Sequence, residues 1–122
     1  MKNFIKLICS ISVLFGVQSA LACDYPDRVT VPNGTTATKD DMLQGQRSVK
    51  EFVAGMEVYL ECIVEEEKTA RAAIEEISAE DEQQREDLLN KKYNAAVSEM
   101  ERIAAQFNVE VQAYREIGRA HV

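Results

Sequence analysis

Apolar residues return every seven positions along two long runs of the chain, the spacing of a helix that packs against another helix. The first run contains Met42, Val49, Met56, Ile63, Ala70 and Ile77, with Phe52, Tyr59 and Ala73 three residues after members of that series. The second run contains Tyr93, Met100, Phe107 and Tyr114 at one position, and Leu89, Ala96, Ile103 and Ile117 at the other. The two seams predict an all-α fold, a long antiparallel helical hairpin of the coiled-coil type.

The first helix is predicted to begin directly after Thr38. The hydroxyl of Thr38 can accept a hydrogen bond from a first-turn amide, and Asp41 stands three residues later, at capping-box spacing. Neither a proline nor a pair of glycines interrupts the chain from there to Ile77, so the helix is predicted to extend to that residue.

The turn is predicted from the phase of the seam. Continuing the first series past Ile77 leads to the polar residue Gln84, so the second seam is out of register with the first. Ser78 is a suitable N-cap for a new helix. The resulting bounds are a turn over 78–81 and a second helix over 80–117, with Gly118 as its C-cap.

A hairpin with this turn pairs residues whose numbers add up to about 159. Gly45 then faces Tyr114, and Phe52 faces Phe107. Small residues meet large ones across several layers, as dense packing requires. The two helices together form the predicted hairpin domain, residues 38–118.

Residues 23–37 are predicted to form an extended N-terminal arm. Pro26 and Pro32 exclude a helix through this segment, and Pro32-Asn33-Gly34 has the composition of a tight turn. The arm is long enough to run back along the first helix as far as Cys62. It would then cover only the half of that helix nearest its own start.

Residues 1–22 have the composition of a secretory signal peptide. Lys2 and Lys6 form a basic start, an apolar stretch covers 7–17, and Ala20-Leu21-Ala22 provides small residues three and one before the cut. Cleavage is predicted between Ala22 and Cys23. The mature protein is therefore expected to be periplasmic or secreted.

Two cysteines remain after that cleavage, because Cys9 lies within residues 1–22. An even number in an exported chain favours a disulfide between Cys23 and Cys62. The alternative is that Cys23 is lipidated, as in bacterial lipoproteins, although Ala20 stands where such sites usually have leucine. Only in that case would the mature protein be attached to a membrane.

The charge of the chain is strongly acidic. The full sequence has a formal net charge of −7, and loss of Lys2 and Lys6 leaves 12 basic and 21 acidic residues, a net charge of −9. Such a surface repels nucleic acid and anionic lipid, so nucleic-acid binding is not expected.

No group of residues in the sequence has the pattern of a catalytic, cofactor or metal site. His121, the only histidine, stands one residue from the C-terminus, where chains usually fray, and the sequence supplies no partner residues for a catalytic or metal-binding role. Glu65-Glu66-Glu67 could form a cation site or a polar register device, but such clusters are usually solvated. We expect a non-enzymatic protein without a cofactor, a metal or a small-molecule substrate.

Several short motifs are similar to those of a group of small exported proteobacterial proteins of unknown function. The motifs are Cys23-x-x-Pro26, Val31-Pro32-Asn33-Gly34-x-x-Ala37, Met42, Val49-Lys50-x-Phe52, Tyr59-Leu60-x-Cys62, Tyr93-Asn94-Ala95-Ala96-Val97-x-Glu99-Met100 and Phe107-Asn108. The resemblance covers most of residues 23–122. It implies export and a pair of cysteines, but no particular activity.

The expected function is binding of another protein through a helix face, or weak self-association. The predicted interaction face consists of four apolar residues beside the seam: Ile74, Leu88, Val97 and Val111. Of these, Ile74 and Leu88 lie in the half nearer the turn, which the arm leaves uncovered. Two alternatives stay open at this point, a periplasmic chaperone of the holdase type and an envelope lipoprotein anchored at Cys23.

Overall fold

The computed structural model describes residues 23–120, and the predicted signal peptide, its cleavage site at Ala22 and His121 lie outside this range. Two long helices, α1 (Lys39–Ala72) and α2 (Ala79–Ala120), pack against each other as a hairpin. Residues 23–38 contain no helix or strand and form an arm that lies along both helices. The all-α hairpin with an extended arm is confirmed.

The beginning of each helix follows the predicted capping chemistry. Thr38 Oγ1 accepts from the backbone N–H of Asp41 at 3.1 Å, and the Thr38 N–H donates to Asp41 Oδ2 at 2.9 Å, which completes the capping box. The hydrogen bond from the Thr38 N–H lowers the pKa of the Asp41 carboxyl below its usual value, and the Thr38 side chain adds to this effect. Ser78 caps α2 in the same way, because its Oγ accepts from the Asp81 N–H at 3.1 Å.

The ends of the helices differ from the prediction. α1 ends at Ala72 rather than Ile77, so the turn covers residues 73–78 and Ser78 is its last member. Arg71 lies in the last turn of α1, where a positive charge is favourable, whereas Glu75 and Glu76 would be unfavourable at the negative end of the helix dipole. Gly118 is not a C-cap, because α2 continues through it to Ala120.

The predicted pairing of the helices is wrong by one heptad. Glu67 pairs with Arg85, and Arg71 lies 3.5 Å from Glu82. The residue of α2 beside Gly45 is Phe107 rather than Tyr114. The residue numbers of these pairs add up to 152 or 153 instead of 159. A shift of seven residues brings the same seam positions together again, so apolar periodicity alone could not distinguish the two registers.

The buried core lies in the half of the hairpin farther from the turn. Its members are Met42, Val49, Phe52, Met56, Leu60 and Ile63 of α1, and Ala96, Ile103 and Phe107 of α2. Met56 and Ile103 are the most completely buried of the large side chains. Val29 and Val31 of the arm pack against this cluster, so three layers of chain enclose it.

The arm approaches α1 closely because glycines leave room for its prolines. A Cβ atom at Gly45 would lie 2.7 Å from Pro32 Cγ, and one at Gly55 would lie 3.2 Å from Pro26 Cγ. The arm therefore lies antiparallel to α1, with each proline seated over a glycine. We describe these two contacts as the proline–glycine contacts.

The other end of the arm is attached to α2. The Gly34 N–H donates to Glu110 Oε2 at 2.7 Å, and a Cβ atom at Gly34 would overlap the backbone carbonyl oxygen of Glu110 and lie 2.9 Å from the Tyr114 nitrogen. Asn33 shapes this turn, since its carbonyl oxygen accepts from the Ala37 N–H at 2.9 Å. The arm thus contacts both helices.

Gly34→Ala is expected to lower the free energy of unfolding by about 1–3 kcal/mol, because the added methyl group would push the turn away from α2. Gly118→Ala is the matched control, since nothing lies within 4 Å of a Cβ there and alanine is favoured by up to about 1 kcal/mol in a helix. Urea unfolding of the oxidised proteins measures both. Equal stability of wild type and Gly34→Ala would contradict the close contact.

The register can be tested by double-mutant cycles. Glu67→Gln and Arg85→Gln should show a coupling energy of about 0.5–1 kcal/mol, because their side chains form two hydrogen bonds of 2.8 and 3.3 Å in a partly buried position. Glu67→Gln and Lys92→Gln, the pair opposed in the alternative register, should show a smaller coupling. Stronger coupling to Lys92 would indicate the register shifted by one heptad.

Candidate functional site: the half of the hairpin beyond the disulfide

A disulfide joins the start of the arm to the middle of α1. The Cys23 and Cys62 sulfur atoms are 2.05 Å apart and the Cα atoms 5.6 Å apart, which confirms the predicted pair. Glu66, one turn beyond Cys62, places Oε2 at 3.2 Å from the Cys23 sulfur. Both sulfurs and this carboxylate lie within 4.8 Å of one another, but sulfurs joined in a disulfide provide no thiolate to bind a metal.

Aromatic packing reinforces the bridge. The rings of Tyr25 and Tyr59 meet edge to face with their centroids 5.0 Å apart. Partial burial raises the pKa of Tyr25, and the negative charge of Glu99 on α2 adds to this effect. The ring contact therefore keeps the arm on α1 as far as the disulfide, with Tyr25 still 51% exposed.

The buried core also ends at the level of the disulfide. Ile63 is the last buried residue of α1 and Ala96 the first of α2. Between them, in residues 64–95, the structure contains no buried residue, and we call this segment the turn-side half. In this segment the two helices pack against each other without the arm as a third layer.

Ion pairs provide part of the contact between the helices in the turn-side half. Arg85 binds Glu67 through Nε at 2.8 Å, with the two side chains 33% and 22% exposed. Arg71 and Glu82 form a longer and more exposed pair. Exposed ion pairs contribute little to stability, so the packing of the two helices is locally less stable in the turn-side half than around the core.

Two residues of the predicted interaction face lie together at the tip of the hairpin. Ile74 is 38% exposed and Leu88 56% exposed, and both line a shallow groove of about 330 Å³ with Ile77, Gln84 and Arg85. Ile74 is in the turn rather than on α1, because the helix ends before it. We call this the tip groove.

The other two residues of the predicted face are not part of this surface. Val97 and Val111 are partly buried and pack against the core, beside the seam of α2. The register places them opposite the core half of α1, away from the tip. The prediction of a single face containing all four residues was therefore wrong.

A second groove crosses from α1 to α2 near the end of the core. It encloses about 570 Å³ and is lined by the apolar residues Leu60, Val64 and Tyr93 and by the carboxylates of Glu57, Glu61 and Glu65. We call this the acidic groove. Sequence reasoning missed it, although a spacing of four between the glutamates indicates one helix face.

The three consecutive glutamates have separate environments. Glu65 lines the acidic groove, Glu66 lies beside the disulfide and Glu67 pairs with Arg85. Consecutive residues of a helix point in directions about 100° apart, so they cannot form one cation site. The hypothesis of a shared site at this cluster is wrong.

Neither α1 nor α2 has a stretch long and apolar enough to cross a membrane. Comparisons with protein-family models, curated proteins and solved structures found no match to this chain.

Opening the disulfide is expected to lower the free energy of unfolding by about 4 kcal/mol, because it frees a loop with a sequence separation of 39 residues. Mass spectrometry of the unreduced protein should show a mass lower by two hydrogens than that of the reduced protein. Urea unfolding with and without reductant measures the stability. Two free thiols in the isolated oxidised protein would contradict the bridge.

Proposed function

We propose that this is an exported, non-enzymatic protein that binds another protein through the turn-side half of its helical hairpin. One observation carries the proposal: residues 64–95 contain no buried residue, and their exposed apolar side chains Ile74, Leu88 and Tyr93 line grooves, whereas exposed apolar residues of the core half such as Val58 and Val109 line neither groove. Apolar residues grouped on an otherwise charged surface are typical of a contact site.

Export is supported by the sequence of residues 1–22 and by the disulfide, which is stable in an oxidising compartment. The same bridge disfavours the lipoprotein alternative, because lipidation would modify the sulfur of Cys23 that Cys62 occupies. The net negative charge does not favour nucleic acid as the partner.

The holdase alternative requires a surface that accepts many unfolded chains. The tip groove is short and includes charged Asp81 and Arg85, which favours a defined partner over varied apolar segments. A holdase would suppress the aggregation of several unrelated proteins, whereas the proposed protein would not.

Ile74→Lys combined with Leu88→Lys should abolish partner contact without changing the fold. A photo-crosslinker at Gln84 in the tip groove, used in intact cells, should give one dominant adduct that disappears in the double variant. Circular dichroism and the midpoint of thermal unfolding should change little, because both residues are exposed.

Val58→Lys is the matched control, because Val58 is 67% exposed and lies outside both grooves. The adduct should persist in this variant. If the adduct has the mass of two copies of this chain, the partner is a second copy, which sedimentation should confirm. Unchanged crosslinking in the Ile74→Lys, Leu88→Lys protein would contradict the proposal.

A further inference from the structure

The acidic groove combines an apolar floor with a negative rim. Leu60 is buried at its base, Val64 is partly buried, and Tyr93 of α2 closes one side with 40% of its surface exposed. The carboxylates of Glu57, Glu61 and Glu65 follow the groove along α1 at intervals of four residues, one turn of helix apart.

The rim is not neutralised by the basic residues that the structure describes. Of the salt bridges within residues 23–120, one involves Glu65, which lies 3.5 Å from the exposed Lys68, and none involves Glu57 or Glu61. Negative charges four residues apart on a helix repel each other and lower its stability. The arrangement therefore has a cost in the isolated protein.

The arm does not cover this groove. The arm lies against the side of α1 that contains Gly45, Ser48 and Gly55, whereas Glu57, Glu61 and Val64 are on another side of the same helix. The groove is thus open for contact while the arm stays docked and the disulfide intact.

We infer that the acidic groove binds a cationic amphipathic helix of a partner protein. This inference rests on the proposed function and specifies the chemistry of the partner. Apolar side chains three and four residues apart on that helix would pack on Leu60 and Val64, and lysines or arginines beside them would meet the three glutamates. A cation seated on the exposed ring of Tyr93 would add a cation–π contact.

The choice of a cationic helix follows from charge complementarity. An anionic or neutral helix would leave the repulsion among the glutamates in place, whereas lysines spaced by one turn would match carboxylates spaced by one turn. A second copy of this chain is a poor occupant, because its own net charge is negative.

The test uses the full oxidised protein and a labelled 18-residue peptide, with leucines on one helical face and lysines beside them. Fluorescence anisotropy should show saturable binding that weakens about tenfold when Glu57, Glu61 and Glu65 are all changed to Gln. Added salt should weaken binding to the wild type strongly and to this variant only slightly.

Two controls separate the groove from general charge attraction. Changing Glu75, Glu80 and Glu116 to Gln removes the same number of negative charges from exposed sites outside the groove and should leave the affinity within about twofold of wild type. A peptide with glutamate in place of each lysine should not bind. Val64→Asn should weaken binding of the cationic peptide, because it removes part of the apolar floor without changing the charge of the groove.

The inference would be overturned if the triple variant in the groove and the triple variant outside it weakened peptide binding equally. Equal binding of the cationic and anionic peptides would also overturn it. Such a result would leave the proposed function intact if crosslinking at the tip groove is still lost with Ile74→Lys and Leu88→Lys. Conversely, peptide binding that depends on the acidic groove, together with the absence of any crosslinked adduct at the tip groove, would support the inference and contradict partner contact at the tip groove.

Discussion

The seating of the arm between the two helices is the interaction on which the rest of the structure depends. A pair of antiparallel helices has one shared seam, and the residues at its borders stay partly exposed. Val29 and Val31 of the arm add a third layer, and all buried residues lie in the part of the hairpin that has this layer. The disulfide fixes the far end of the arm and so marks the limit of the core.

This arrangement divides the hairpin into a stable part and a more exposed part. Before the disulfide, apolar packing encloses Met56 and Ile103 almost completely. Beyond it, Glu67 and Arg85 provide a partly exposed ion pair in place of a core. Protein surfaces that contact partners commonly lie on the less stable parts of a fold. The tip groove lies wholly beyond the third layer, and the acidic groove extends from the end of the core into the turn-side half.

Much of the fold could be predicted from local chemistry. Thr38 and Ser78 were correctly identified as N-caps, because a side-chain oxygen directly before a helix can accept a hydrogen bond from a backbone N–H of the first turn. The disulfide followed from an even number of cysteines. The register could not be predicted from the apolar repeat, because a seven-residue repeat matches itself after a shift of seven, and the turn and the contact of Gly34 with α2 distinguish the two registers.

The grooves were harder to predict than the helices. Leu88 and Ile74 were recognised as uncovered, since the arm is too short to reach them. The acidic groove depends on which residue of α2 lies beside Glu61 and Val64, and the shifted register gave the wrong answer. Gly45 was recognised as a site of close packing, but its neighbour is Pro32 of the arm, with Phe107 of α2 close by.

The arm can make the proline–glycine contacts and the Gly34 contact at the same time only when the two helices are correctly aligned along their axes. The contacts of Pro26 and Pro32 fix the arm relative to α1, while Gly34 against Glu110 fixes it relative to α2. A shift of the hairpin by one heptad would move Glu110 by about 10 Å along the axis and separate these sites. The disulfide holds the arm on α1 in the position from which Gly34 meets Glu110, so the covalent bond stabilises the one alignment of α2 in which all of these contacts form together.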